Sequence, residues 1–267
     1  MIQPSPKADN SASGISRRLG THHARPKILF GKPPSGAVAT LEDREAHHLI
    51  HVLRAEVGAG VELIDGKGRL WSARIEAILG NRVRLVDVAL LSETAKPEVR
   101  LVLIQSLCKS DRLAWILQKA TELEVSEIYL VHARRSVVRI SHERRPAKLE
   151  RWRTILVNAA KQCRRSTIPT LHPPLDCPEV CEAVEADLKL LLQASPQAMS
   201  LKSLLRGNFW PSVAFAVGPE GGWTGQECET FRRSGFQSVQ LGNSTLRTET
   251  AATVAAALLR YELIPGN

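Results

Sequence analysis

Between Lys27 and Ser92 the apolar positions fall in short runs that alternate with polar ones or are β-branched: VELID, LWSARIEAI and RVRLVDVAL. Such runs predict strands. Asp65-Gly66-Lys67-Gly68 supplies a turn between the first two, and Gly80-Asn81 a turn between the last two. The segment EDREAHHLIHVLR predicts a short helix feeding this sheet, and a small β-barrel is its natural closure. Glu93 to Glu98, with Lys96-Pro97, reads as a linker.

Beyond the linker the period changes. RLVLIQSL is a continuous apolar run of the buried-strand type, followed by Asp111 to Glu124 with Leu113, Ile116, Leu117, Ala120 and Leu123 on one helical face. Ser110 or Asp111 is placed to cap that helix. EIYLVHA is the next strand, and Lys148 to Cys163 the next helix, with Trp152, Ile155, Leu156 and Ala159 in its apolar stripe. LKLLLQ and VAFAVG are two further buried strands. Thr224-x-x-Glu227 opens a helix as a capping box and Gly235 closes it. SVQLG is a strand, and Glu249 to Tyr261 a final Ala-rich helix. Strands alternating with helices predict an α/β domain: a mostly parallel sheet with helices on both faces.

Charge narrows the partners. The formal net charge is +9, which favours a polyanion, nucleic acid before an anionic membrane surface. No apolar run approaches the roughly 18 residues of a spanning helix, so no membrane partner is expected. Residues 1–26 are basic and poor in apolar residues, and read as a disordered tail without a secretory h-region. The five cysteines, at 108, 163, 177, 181 and 228, fit no zinc spacing, and no metal is expected. Reduced thiols point to the cytoplasm.

In an open parallel sheet, ligands bind beyond the carboxyl ends of the strands. Three segments of unusual chemistry fall at such ends: Leu192-Gln193-Ala194, Gly218-Pro219-Glu220-Gly221-Gly222, and Leu241-Gly242-Asn243 running into Leu246-Arg247-Thr248-Glu249. Glycines let main-chain N–H and C=O groups approach a ligand closely. There is no P-loop Lys-Ser/Thr and no Gly-x-Gly-x-x-Gly, so a triphosphate or dinucleotide is not the expected ligand. An adenine edge and a small zwitterion suit such a surface better.

AVGPEGGWTGQE, followed after one helix by LGNSTLRTETA, resembles the signature of the SPOUT methyltransferases. More narrowly the chain is similar to the family that methylates N3 of uridine in 16S ribosomal RNA, the RsmE type. SLCKSDRLAWILQKATELEV, ARRSVVR, KLERWRTILVNAAKQCRRSTIP, EAHHLIHVLR and LIDGKG match in order, from about Phe30 to the end. The resemblance implies a PUA-like β-barrel RNA-docking domain (27–95) and a SPOUT methyltransferase domain (96–267) with a trefoil knot. It implies a homodimer, S-adenosyl-L-methionine as cofactor, and 16S ribosomal RNA of the small subunit as partner. Carried over by position, the cofactor-binding residues are Leu192, Gly218, Pro219, Glu220, Gly221, Gly222, Leu241, Gly242, Leu246 and Thr248. The chain departs from the family at Asn243-Ser244-Thr245, where a basic residue is usual, and at Glu124 and Arg164, where glycine is common.

Uridine N3 carries a proton and is a poor nucleophile until it leaves, so a base or an anion-stabilising cation is needed. Arg247 is the candidate cation and Glu249 the candidate base, although an acid in the first turn of a helix is also favoured by the helix dipole alone. Candidate RNA contacts are Lys109, Arg112, Lys119, Arg134, Arg135, Arg139, Gln162 and Arg164. Two other readings stay open at this point. One is a non-catalytic RNA-binding ribosome assembly factor; the other is a methyltransferase acting on a different RNA atom.

Overall fold

The computed structural model describes residues 26–263, apart from 33, 35, 95, 96 and 196. The basic tail expected over 1–26 therefore lies almost wholly outside the described residues, as do the two positions between which the domain boundary was drawn.

The N-terminal part is one five-stranded sheet. Its strands are β1 (Lys27–Phe30), β2 (Ala39–Leu41), β3 (Gly60–Ile64), β4 (Arg69–Leu79) and β5 (Arg82–Glu93), and helix α1 (Asp43–His47) lies between β2 and β3. The order is β1-β3-β4-β5-β2. β1 pairs with β3 in parallel, and the other ladders are antiparallel. Trp71, Ala73 and Ile75 alternate inward along β4 and meet Leu29, Leu41, Val61, Leu63, Val83 and Leu85 in one core. α1 continues as a wider π-helical turn, His48–Val52, which buries Leu49 in that core. The ladder is open among the described residues: no pairing joins β1 to β2. Three register shifts in the β4–β5 hairpin bend it instead, as extra unpaired residues do.

The predicted Asp65 turn is built by its own carboxylate. Oδ1 accepts from the backbone N–H groups of Lys67 and Arg69, and Oδ2 from Arg69 Nε at 2.9 Å. Gly66 and Gly68 take φ of 74° and 109°, which side chains rarely adopt.

The second sheet has eight strands: β6 (Arg100–Ser106), β7 (Glu127–His132), β8 (Thr170–Leu171), β9 (Leu175–Asp176), β10 (Leu188–Leu192), β11 (Met199–Ser200), β12 (Ser212–Val217) and β13 (Gln237–Gln240). Its order is β11-β13-β10-β12-β6-β7-β8, with β9 also on β7, and every ladder is parallel. Two cores explain the continuous apolar runs. Leu101, Leu103, Val213, Phe215 and Val217 face one side, with residues of α2 (Ser110–Glu122), α3 (Arg145–Cys163), α5 (Leu201–Leu205) and α7 (Thr248–Leu263). Val102, Ile104, Ala214 and Ala216 face the other, with α4 (Cys177–Ala183) and α6 (Gly225–Arg233). With both faces covered, a polar position along the central strands is costly unless it finds a partner.

Some details differ from expectation. Neither Ser110 nor Asp111 caps α2: the helix begins at Ser110, and Lys109 precedes it without a capping side chain. α3 starts three residues earlier than predicted, with Pro146 in its first turn, where a missing N–H loses nothing. α4 was not anticipated, although its capping box, Asp176 with Glu179, is written in the sequence.

Glu124 and Arg164 both sit in the left-handed region, at φ 60° and 61°. Glycine would meet that demand without strain. Each side chain here gains an ion pair instead, Glu124 with Arg260 and Arg164 with Glu62. The second pair helps fix the two sheets together. Lys161 pairs with Glu45 at 2.8 Å, Thr94 and Ser166 hydroxyls bond at 2.8 Å, and Ile168 N–H donates to the Gly66 carbonyl.

Burial alone would raise the Asp65 carboxyl, but the two N–H donors and the Arg69 guanidinium outweigh it and hold the group below the usual carboxylate range. A depressed folded value means stability that is present above the unfolded value of about 4 and is lost as pH falls through the lower folded value. Asp65→Asn is expected to destabilise at neutral pH by about 1–3 kcal/mol. In urea unfolding followed from neutral pH towards pH 2, the gap to the parent should shrink; a gap independent of pH would refute the assignment.

Candidate functional site

The three segments singled out at strand ends come together. β10 ends at Leu192, β12 at Val217 and β13 at Gln240, three adjacent strands whose following residues surround one cavity of about 540 Å³. Its lining holds Leu192, Gly218, Pro219, Glu220, Gly221, Gly222, Leu241, Gly242, Leu246, Arg247 and Thr248. All ten positions carried over as cofactor-binding are therefore in its wall. Ser244 and Thr245, in the stretch that departs from the family, line it too.

The Gly218–Gly222 turn has a stated reason for each of three glycines. A Cβ on Gly218 would lie 3.0 Å from Nε1 of Trp223 and 3.2 Å from two of its ring carbons. One on Gly221 would lie 3.2 Å from Cβ of Arg135. Gly222 has φ +69° and donates its N–H to the Pro219 carbonyl at 2.8 Å. The turn then runs into α6, whose capping box is formed: Thr224 Oγ1 accepts from Glu227 N, and Thr224 N donates to Glu227 Oε2. Glu227 Oε1 also accepts from Arg134 N at 2.8 Å, so this buried carboxylate joins the loop after β7 to the loop after β12.

Thr248 ties the two glycine-bearing loops. Its hydroxyl donates to the Gly218 carbonyl at 2.8 Å and accepts from Gln105 Nε2 at 3.1 Å. Gln105 is fully buried at the end of β6, and it also donates to the Ser106 carbonyl. Sequence reasoning missed this residue. The available signal was a lone amide inside an apolar run, which in a sheet covered on both faces must find a partner. Trp223 and Cys228, both in the cavity wall, were also missed.

The two catalytic candidates separate. Arg247 lines the cavity, is exposed, and lies in no ion pair among the described residues. Glu249 is not in the wall. Its Oε1 is 3.8 Å from Arg112 Nε, and its Oε2 is buried without a partner. Arg112 is also paired with Glu220, so it bridges the glycine turn and the first turn of α7. Burial and then the nearby Glu220 and Glu249 carboxylates push the Cys108 thiol up to about 12, which keeps it protonated and inert.

The RNA-contact candidates divide likewise. Lys109, Arg134 and Arg139 are exposed and in no ion pair among the described residues. Arg135 is exposed and donates to the Gly221 carbonyl at 2.9 Å. Gln162 is exposed on α3. Arg112, Lys119 and Arg164 are held by Glu220, Glu122 and Glu62. Among the described residues no group of three His, Cys, Asp or Glu side chains is placed to hold a metal, and no helix is long and apolar enough to cross a membrane.

A parallel sheet with helices on both faces, a glycine-walled cavity at its carboxyl edge and a separate curved sheet before it define the class: a two-part α/β protein of the SPOUT type. Family models agree with that division. A model described as an RNA methyltransferase domain matches residues 95–260, and one described as an RNA methyltransferase PUA domain matches residues 41–87. The chain is 32% identical over 224 residues to the ribosomal RNA small subunit methyltransferase E of Synechocystis, covering 83% of this chain and 72% of the relative. Among solved structures, the ribosomal RNA small subunit methyltransferase E of Neisseria gonorrhoeae bound to S-adenosyl methionine has a TM-score of 0.79 at 30% identity, over 89% of this chain and 98% of that one. A putative methyltransferase of Legionella pneumophila in complex with bound SAM has a TM-score of 0.82 at 28% identity, with the same coverage. The chain belongs to the ribosomal RNA small subunit methyltransferase E family.

Thr248→Val would leave buried polar groups at Gln105 and Gly218 short of a partner, at a cost of about 1–3 kcal/mol. Unfolding free energies from denaturant titration should fall by that amount, and by less for Thr248→Ser, which keeps the hydroxyl. A smaller loss in Thr248→Val, which keeps the methyl, than in Thr248→Ser would show that the methyl contact, not the hydrogen bonds, matters.

Proposed function

We propose that this protein transfers a methyl group from S-adenosylmethionine to N3 of a uridine in 16S ribosomal RNA, as an enzyme acting on the small ribosomal subunit. The observation that carries the reading is the convergence of the three strand-end loops on one cavity of about 540 Å³. That volume suits a ligand of nucleoside size. The wall offers main-chain groups at Gly218 to Gly222 and Leu241-Gly242, beside apolar Leu192 and Leu246. A cofactor with an adenine edge and an amino-acid end fits such a wall better than a polyphosphate does. The residues that would hold it are Leu192, Gly218, Pro219, Glu220, Gly221, Gly222, Leu241, Gly242, Leu246 and Thr248.

When bound, S-adenosylmethionine supplies an electrophilic methyl group on a sulfonium. The chain's part is to orient and to manage charge. Holding the partners in line is worth roughly 7–11 kcal/mol when geometry is well fixed. The Thr248 bridge between the loops serves that end, since it ties both walls of the cavity. Arg247 is the cation proposed to stabilise negative charge on the uracil as its N3 proton leaves. Glu249, next to the cavity-lining Thr248 in the first turn of α7, is proposed to accept that proton. Lys109, Arg134, Arg135 and Arg139 are proposed to meet RNA phosphates from the same edge of the sheet.

The proposal extends to the assembly and its place. The domains are taken as 27–95 for docking and 96–267 for catalysis, with the knotted threading of its superfamily. The homodimer is supported by the outward face of α7, where Leu258 and Tyr261 stand exposed on an Ala-rich helix. The cytoplasm is where small subunits would be met.

Arg247→Ala is expected to lower kcat on the order of 100-fold or more. The melting temperature should match the parent's, and calorimetric affinity for S-adenosylmethionine should stay within twofold. Unchanged turnover would remove Arg247 from the mechanism. Nucleoside mass mapping of 16S ribosomal RNA from cells with and without the protein tests the substrate atom; methylation at another atom would refute the uridine-N3 assignment.

A further inference from the structure

A second cavity, of about 370 Å³, lies away from the glycine-walled one, where the N-terminal sheet meets α3. Lys27, Arg44 and His48 reach it from the docking side, and Asn158, Lys161 and Gln162 from α3. Its one carboxylate, Glu45, is already engaged: Oε1 with Lys161 Nζ at 2.8 Å and Oε2 with the backbone N–H of Phe30 at 3.0 Å. Three cations and one paired anion leave the cavity net positive. Arg44 uses one nitrogen on Thr154 Oγ1, and Lys27 donates to the Leu53 carbonyl, so both are fixed in place with donors to spare. Asn158 and Gln162 are exposed, and among the described residues their amides have no hydrogen-bond partner. His48 Nδ1 is buried and unpartnered. Burial and then the Lys161 charge hold that imidazole below its ordinary value, so it acts as a neutral donor or acceptor.

We propose that this cavity is a nucleotide subsite. It seats one unpaired nucleotide of the RNA substrate, with the phosphate against Lys27 and Arg44 and the base edge against Asn158, Gln162 and His48. The proposal rests on the RNA-methylating reading above, and adds to it where a second stretch of the substrate is gripped. The donor set is right for both parts of the ligand. Fixed cations suit a phosphate, and amides read a base edge that only a single-stranded nucleotide exposes.

The helix that forms one wall also links the two cavities. α3 is 19 residues, roughly 28 Å. Its C-terminal turn carries Gln162. The loop that leads into its N-terminus is tied to the glycine turn through Arg135 and the Gly221 carbonyl. Lys148, Arg151, Asn158 and Gln162 are spaced by three, seven and four residues, which puts them on one face. An RNA strand following that face runs from the cleft edge to the interdomain cavity. It would be held at both ends, by elements the ion pairs Glu45–Lys161 and Glu62–Arg164 keep in fixed register.

The test is methyl transfer to small ribosomal subunits isolated from cells lacking this protein. In the double variant Asn158→Glu and Gln162→Glu, both exposed positions, KM for the subunits should rise tenfold or more. The kcat at saturating subunits and the affinity for S-adenosylmethionine should stay within twofold. A control pair of equal charge, Asn208→Glu with Gln237→Glu, should leave KM within twofold. Arg44→Gln should flatten the salt dependence of subunit binding by about 0.7 in log–log slope, the share of one single-strand phosphate. If the parent methylates the subunits and the double variant keeps its KM, or the control pair raises it equally, the subsite is refuted and the enzyme reading stands. If the parent binds S-adenosylmethionine but methylates no subunit RNA, both fall.

Discussion

The hydroxyl of Thr248 stands between the buried amide of Gln105 and the carbonyl of Gly218. Gln105 Nε2 donates to it from the end of β6, and it donates in turn to the carbonyl of Gly218. Gln105 and Thr248 are buried beside the packed cores, where an unmet polar group costs about 1–3 kcal/mol. The chain leaves β12 at Gly218 and returns some thirty residues later at Thr248, after a helix, a strand and a loop. That hydrogen bond and the Arg112 bridge from Glu220 to Glu249 close the excursion. With the adjacent strands β13, β10 and β12, they hold the wall after β12 and the wall after β13 in one place. The start of α7, and with it Arg247, is held by that bond, by Arg112 and by the buried face of the helix.

How far the residues alone disclosed this depends on what kind of constraint was at work. The buried strands were legible because a sheet covered on both faces leaves few positions for a polar residue, and RLVLIQSL, LKLLLQ and VAFAVG are mostly apolar. The capping box at Thr224 was legible because its two reciprocal hydrogen bonds are local. The cavity wall was legible in outline, since glycines at 218, 221 and 222 have no other purpose than backbone shape and close approach. What stayed hidden was non-local. Gln105 and Thr248 lie 143 positions apart, and no periodicity relates them. α4 and the two-residue strands β8 and β9 were hidden for another reason: they are too short to carry a period, and packing rather than propensity makes them.

Charge was the least faithful guide. A net +9 drew attention to every cluster of lysine and arginine, yet the clusters are of two sorts. Arg112, Lys119 and Arg164 are bound to carboxylates of the same chain and serve its internal geometry. Lys109, Arg134 and Arg139 face solvent without such partners among the described residues. Only the second sort is at liberty to meet a phosphate. Composition counts both alike, because it does not record which carboxylate lies opposite which cation.

The left-handed residues at 124 and 164 have a wider meaning for how such chains are compared. An alignment by letters scores a glutamate and an arginine in place of glycine as losses. The molecule asks for a dihedral there, not a letter, and here it obtains one by anchoring the side chain to a distant partner, Arg260 or Glu62. A position freed from glycine in this way becomes a place where remote elements can be stitched together. Each of these sites is then tied to a residue more than a hundred positions away.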